Sequence, residues 1–553
     1  MDELEQSSQQ GPENRKTAVA TPKTAIDPDI MYMLLAAEIA GQRGQYDVAL
    51  EGYLEAAKRV NDVRLAERAA KIALYIKDRE KGDEAVALWL KQDADNLTAR
   101  KIALLSALRK ESKPDAIEHA LFLLDMDPDG FEDAVIELIR ALGQKGNIAF
   151  VYDVLEDLTE RRSDQASVYF IQAMLAMQLN SDVLAERKID KAIELQPDWE
   201  KALLFRAQIA AFSGNLEKAR AYLTELTDSY RNSVKVKKML AQVLVKLSEF
   251  DEAARVYREI VDDDPEDLDS KFSLALVHLQ LEHDDKASVF FKDLLASPEW
   301  ADQASFYLGR IAVRDGRNDE ALTWFDKVSR GSLRFDAAAA AISLLLKDKK
   351  FDEASDRLRA LKPRTDDERL RLVLLKAELH NEQKEYFEAF DVLSKALEEM
   401  PDQKELLYTR ALIAERIDKL DVLEQDLRKI LEKYPDDVSA LNALGYTLVD
   451  RTDRYQEAQV FLEKALSLQP DEAVIIDSYG WLQFKLGNYQ KALEYLQRAY
   501  SKQQENEIAA HLAEVLWVLG RQEEARKLFE QTIKVSPDDE YLLDFKRRIL
   551  DAE

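Results

Sequence analysis

The sequence predicts an all-α protein, a superhelical solenoid of about fifteen helical hairpins ending in a C-terminal capping helix. Three observations lead there. At 553 residues the chain exceeds what one hydrophobic core supports, so several domains or a repeat array are required. Glycine (16) and proline (13) are too scarce for the many turns of an all-β fold. The third observation is an internal period. Hydrophobic residues at 46% and charged residues at 33% suffice for a packed core with a solvated surface.

The period is carried by a turn, a small residue and then an aromatic or Leu four positions on. It is clear in GNLEKARAYLTEL (214–226), SEFDEAARVYREI (248–260), GRNDEALTWFDKV (316–328) and GNYQKALEYLQRA (487–499). The small-residue marker falls at Ala185, Ala219, Ala253, Ala287, Ala321, Ala354, Ala389, Leu423, Ala458, Ala492 and Ala525. Successive intervals are 33 to 35 residues. Pro197, Pro265, Pro401, Pro435, Pro470 and Pro537 each follow their marker by 12 residues. This is the period of the tetratricopeptide repeat (TPR), a pair of antiparallel helices. The small residue sits where the second helix crosses the first, and the large one fills the space beside it. Proline ends the second helix.

Residues 28–165 repeat more loosely. Ala49, Ala85, Ala116 and Ala149 are the candidate markers there, and their intervals wander from 31 to 36. The regular superhelix is expected over 166–540. The segment YLLDFKRRILDAE (541–553) is expected to cap the stack. Residues 1–26, rich in Gln, Ser, Thr and Pro with mixed charge, are expected to be a disordered tether.

Composition also excludes functions. A formal net charge of −28 opposes binding to phosphate backbones and bare anionic membranes, and favours proteins with basic patches. The absence of cysteine removes disulfides, thiolate metal sites and thiol nucleophiles. No apolar run is long enough to span a bilayer. No P-loop, GxSxG or GxGxxG occurs in a strand–turn–helix setting. His119, His278, His283, His380 and His511 lack the spacing of a zinc helix and are expected on helix surfaces. The acidic run Asp262–Asp269 is expected to be a solvated turn. No cofactor, metal or catalytic residue is predicted, and the chain is not expected to be an enzyme.

The informative positions face inward from the first helix of each pair. The TPR register places Lys235, Lys238, Lys246, Phe272, Phe306, Arg310 and Arg314 there. Further along it places Tyr408, Asn442, Tyr446, Trp481, Phe484 and Trp517. Aromatic and cationic side chains on an inner wall suit capture of an extended protein segment. The Lys and Asn arrangement that clamps a C-terminal carboxylate in chaperone-binding TPR proteins is missing.

The stretch LNALGYTLVDRTDRYQEAQVFLEKALSLQPDEAVIIDSYGWLQFKLGNYQKALEYLQRAY (441–500) is more distinctive than generic TPR sequence. It resembles the corresponding end of a proteobacterial family of outer-membrane TPR lipoproteins, the LbcA type. The resemblance implies a periplasmic adaptor that holds the carboxyl-terminal processing protease CtpA and presents peptidoglycan cross-link hydrolases for degradation. It also implies a lipid anchor on an N-terminal cysteine, which this chain lacks. Residues 1–26 are then expected to be the spacer between anchor and solenoid. The irregular region 28–165 is expected to dock the protease, and the regular region to take the client. The competing expectation is a TPR scaffold for assembly of an envelope secretion or outer-membrane biogenesis machine, because fold does not decide partner.

Overall fold

A computed structural model describes residues 27–143 and 147–551, so the expected tether lies outside the described residues. The chain is 79% helical, with 31 α-helices and no strand among the described residues. Contacts divide it between Leu281 and Glu282 into two units.

The first unit opens with α1 (Pro28–Gln42) on α2 (Tyr46–Arg59) and α3 (Val63–Ile76) on α4 (Arg79–Gln92). Next come α5 (Leu97–Lys110) on α6 (Lys113–Met126), followed by α7 (Phe131–Leu142) and α8 (Ile148–Arg161). Then follow α9 (Ala166–Gln178) on α10 (Asp182–Leu195) and α11 (Glu200–Phe212) on α12 (Leu216–Ser229). The last are α13 (Val234–Lys246) on α14 (Phe250–Asp263), then α15 (Leu268–Gln280).

The second unit begins with α16 (Asp284–Leu294). Its hairpins are α17 (Ala301–Arg314) with α18 (Asn318–Asp326) and α19 (Leu333–Lys347) with α20 (Phe351–Ala360). They continue as α21 (Asp366–Glu382) with α22 (Tyr386–Glu399) and α23 (Lys404–Arg416) with α24 (Leu420–Lys433). Three more complete it: α25 (Val438–Arg451) with α26 (Tyr455–Leu468), α27 (Ala473–Lys485) with α28 (Tyr489–Lys502), and α29 (Asn506–Val518) with α30 (Gln522–Ile533). Helix α31 (Glu540–Phe545) then caps the unit and runs into a wider π-type turn, Lys546–Leu550. Leu542 and Phe545 of the cap are buried against Phe529, and Lys546, Arg547 and Arg548 point outward.

Every marker from Ala185 to Ala525 is at most 1% exposed, including Leu423, as a crossing position demands. The reciprocal feature lies on three first helices. A Cβ on Gly309 would stand 2.5 Å from the Phe325 ring, one on Gly445 2.6 Å from Leu462, and one on Gly480 2.9 Å from Leu496. Each of those large residues lies four positions after its marker. The first helix therefore gives up its side chain where the second delivers a large one. Helices α10, α14, α22, α24 and α26 each end two residues before a marker proline, because the residue preceding proline is pushed out of the α region.

One marker needs correction. Ala149 is exposed, while Val151 is 3% exposed and packs with Phe131, Val154 and Leu158. Asn147 caps α8 by accepting from the Phe150 N–H at 3.0 Å, which shifts the crossing residue two places on. With Val151 as marker the intervals on either side become 35 and 34 residues. The apolar core then runs unbroken through residue 165, from Leu158 to Val168 and Ile171.

Charged side chains stitch neighbouring hairpins. Lys218 pairs with Glu186, Lys404 with Asp437 at 2.7 Å, and Arg451 with Asp418 at 2.6 Å. Within one hairpin, Arg410 forks onto the buried Asp426 at 2.7 and 2.8 Å, so that carboxylate is fully met.

Replacing Gly309 with Ala is expected to destabilise the second unit by about 1–3 kcal/mol, since the Phe325 ring must move. A lower urea midpoint would show it; an unchanged midpoint would mean that the ring yields freely.

Candidate protein-binding surface

Helix α13 carries Lys235, Lys238 and Lys246. Lys235 and Lys246 are exposed and enter no ion pair among the described residues. Lys238 is half-buried, its Nζ 2.7 Å from Asp267 Oδ2. Asp267 also caps α15, accepting from the Ser270 N–H at 3.1 Å. Burial opposes ionisation of Asp267, but the Lys238 ammonium and the Ser270 bonds outweigh it and hold its pKa below the ordinary value. Asp263 takes Lys237 at 3.2 Å. The run Asp262–Asp269 is therefore more than a solvated turn. It caps a helix and receives the protein's own lysines.

Phe272 of α15 is half-buried. On α17, Phe306 packs edge-on against Tyr307 with ring centres 5.5 Å apart. The Arg310 guanidinium is exposed and lies 5.9 Å from the Tyr307 ring, and Arg314 pairs with Asp284. Tyr408 packs against the core of the second unit, and burial raises its phenol pKa. Asn442 is half-buried, with its Oδ1 buried and lacking a hydrogen-bond partner.

The structure brings Tyr446, Trp481 and Phe484 together, but as packing. Trp481 is 3% exposed. Its indole stacks on Phe484 at 4.9 Å and on His511 at 4.0 Å, and its Nε1 donates to Asp450 at 3.3 Å. Tyr446 donates to Glu507 at 2.5 Å. Trp517 is half-buried, edge-on to Phe545 of the cap at 6.5 Å. The candidates with side chains open to solvent are thus Lys235, Lys246, Arg310 and Arg314. Phe272, Phe306, Tyr408, Phe484 and Trp517 offer only part of a ring.

The expectation of surface histidines fails at two positions. His278 is 6% exposed and His511 5%. His511 Nδ1 lies 3.0 Å from Asp477 Oδ2, which supplies the partner a buried imidazole needs. His119 is half-buried, its Nδ1 3.1 Å from Arg100. No group of three or more His, Asp or Glu placed to hold a metal ion occurs among the described residues. No described helix is long and apolar enough to cross a membrane.

Sequence reasoning also passed over a cleft of about 530 Å³ in the first unit, lined by Tyr46, Tyr53, Arg68, Lys71 and Tyr75. Tyr46 and Tyr75 meet edge-on at 4.9 Å, and Arg68 lies 5.3 Å from the Tyr53 ring. The signal was the helical spacing of Arg64, Arg68, Lys71 and Tyr75 on α3. The cations there are already paired, Arg68 with Glu38 at 3.1 Å and Lys71 with Glu67 at 2.7 Å.

Burial and exposure separate the candidates by experiment. Trp481→Ala is expected to cost about 3–5 kcal/mol of stability in the second unit. Lys235→Ala should stay within about 0.5 kcal/mol. Urea unfolding of both variants checks this, and equal small effects would contradict the buried stack.

A model for the protein kinase G tetratricopeptide repeat matches residues 163–406, and two tetratricopeptide-repeat models match 438–472 and 483–549. Among solved structures, a thermophilic TPR protein of Thermus thermophilus, TTC0263, is 23% identical. It aligns with 32% of this chain and 96% of its own, at a TM-score of 0.29. The APC/C hetero-tetramer Cut9–Hcn1 aligns at 14% identity over 88% of this chain and 97% of its own, at a TM-score of 0.33. The TPR repeat-containing protein PA4667 of Pseudomonas aeruginosa is 31% identical over 526 residues, which cover 89% of this chain and 83% of the relative. With a crossing residue buried in every hairpin and that relative matched across most of both lengths, the chain belongs to the family of TPR repeat-containing proteins that includes PA4667.

Proposed function

We propose that this chain is a non-enzymatic adaptor that holds a carboxyl-terminal processing protease of the CtpA type and presents peptidoglycan cross-link hydrolases to it. The observation that carries the protein-binding part is local. Lys235 and Lys246 of α13 stand exposed, with no ion pair among the described residues, in a chain whose net charge is −28. Lys237 and Lys238 of the same helix are paired with Asp263 and Asp267, so these two remain for an acidic segment of a partner. Family membership supports protein binding in general. The choice of partners rests on the resemblance of residues 441–500 to the LbcA-type lipoproteins.

In this reading residues 28–165 dock the protease and the later hairpins take the client. The native form is lipid-anchored at the periplasmic face of the outer membrane. Two binding surfaces on one chain act by effective concentration, raising client density beside the protease without chemistry of their own.

Affinity purification of the full chain from envelope extracts, followed by mass spectrometry, tests the reading. A serine protease together with wall hydrolases is the expected recovery. Secretion or outer-membrane assembly components in their place would favour the scaffold alternative, and absence of any protease under mild conditions would overturn the adaptor. Reversing Lys235 and Lys246 to Glu should weaken client capture by roughly tenfold or more, while the protease still co-purifies.

A further inference from the structure

Solenoid hairpins ordinarily touch only their neighbours, because each buries its apolar face against the next. The end of the second unit departs from this. Tyr446 of α25 donates to Glu507 of α29, 61 residues away and past the whole of the α27–α28 hairpin. Arg416, at the end of α23, reaches Glu540 at the start of the cap α31, at 3.6 Å. Tyr541 of the cap faces the same Glu507 carboxyl group. These bridges skip hairpins, and they are made almost entirely by ionisable groups.

The groups that face one another come from five helices. Helix α23 contributes Glu415 and Arg416, α25 contributes Tyr446, Asp450 and Arg451, and α27 contributes Asp477. Helix α29 supplies Glu507 and His511, and α31 supplies Glu540 and Tyr541. Arg451 is drawn aside to Asp418 at 2.6 Å, and Asp450 accepts from the Trp481 indole at 3.3 Å. Among the described residues, His511 is therefore the buried imidazole that faces Glu507, Asp477 and Asp450.

We propose that these bridges form a proton-gated latch, which joins α23 and α25 to α29 and α31 in mildly acid conditions and lets go as pH rises. The released form would uncover Tyr446, Trp481 and Phe484, which the latched form holds as packing. A ring-lined face would thus be presented or withdrawn by the proton concentration around the protein.

The electrostatics agree in direction. Burial raises the Glu507 carboxyl, and His511 with the Tyr446 bond only partly offsets it. Burial likewise raises Glu415. For His511, burial alone favours the neutral ring, but Asp477, with Glu507 and Asp450 behind it, outweighs burial and raises its pKa. Glu507 and Glu415, buried in this arrangement, hold their protons more tightly than free carboxyl groups, and His511 holds its proton more tightly than a free imidazole. Their contribution is complete below the ordinary values, 4.5 for glutamate and 6.5 for histidine. It is lost as pH rises through the raised values, so closure weakens toward alkaline pH.

The full chain has no cysteine, so cysteines placed at the exposed positions Asp421 and Lys546 can carry one spin label each. Pulsed electron–electron distance measurements should give one short distance near about pH 5–6. Roughly half of that population should give way to longer distances by about pH 9. Glu507→Gln keeps an acceptor for Tyr446 and cannot ionise, so it should hold the short distance to higher pH. Tyr446→Phe removes the donor and should show long distances already in acid. A distance unchanged over this range in the unsubstituted background overturns the proposal. So does a Glu507→Gln titration that matches that background, or a Tyr446→Phe variant that stays short throughout.

Discussion

Everything in this protein depends on how closely the second helix of a hairpin crosses the first. At each crossing the second helix offers an alanine, valine or leucine that is buried almost completely. One turn later most second helices offer a large residue, such as Phe325, Leu462 or Leu496, that must find room on the first helix. At Gly309, Gly445 and Gly480 that room exists because the first helix has no side chain there. Close packing of this kind tolerates no extra methylene, so it recurs at a fixed interval. The fixed interval in turn sets which residues of neighbouring hairpins meet.

That is why the helices and their crossings were legible in the sequence. The crossing needs a residue type as well as a place, and the type repeats. Ala149 shows the limit. In the looser region a helix start displaced by the Asn147 cap moves the crossing to Val151, and alanine alone does not mark the site. The first-helix faces were less legible. The register says toward which side Trp481 points, but not that Phe484 and His511 will occupy the space on its faces. His511 had a readable signal that counting histidine spacings on one helix misses. It stands 34 residues after Asp477, the same place in the next hairpin. Glu514 and Arg548 are also 34 apart and paired. Opposite charges one period apart are to a solenoid what charges four residues apart are to a single helix.

This ladder of charges changes the meaning of the acidic composition. Exposed pairs of this kind add little stability each, generally under about 1 kcal/mol. Their consequence lies in what they leave over. Lys218, Lys237, Lys238, Lys404 and Arg451 all have carboxylate partners. Lys235 and Lys246 have none among the described residues, although they share α13 with two lysines that do. Net charge is therefore a poor guide to what a partner meets, because the surface is acidic in sum while Lys235 and Lys246 stand exposed on α13.

The hydrophobic crossings and the polar bridges divide the work in the second unit by their physics. Apolar burial is non-directional and scales with area, so it joins each hairpin to the next and reaches no farther. Hydrogen bonds and ion pairs have direction and reach, and Tyr446 with Glu507 spans a hairpin that the core cannot span. Such a bridge brings ionisable groups into low dielectric, where a carboxylate without a cation is costly. One imidazole serves several carboxyl groups there, so the bridge is sound only while some of them keep their protons. The apolar helix crossings hold at any pH, whereas the link across them depends on the occupancy of a few protons, which separates the part of the unit that must persist from the part that can move.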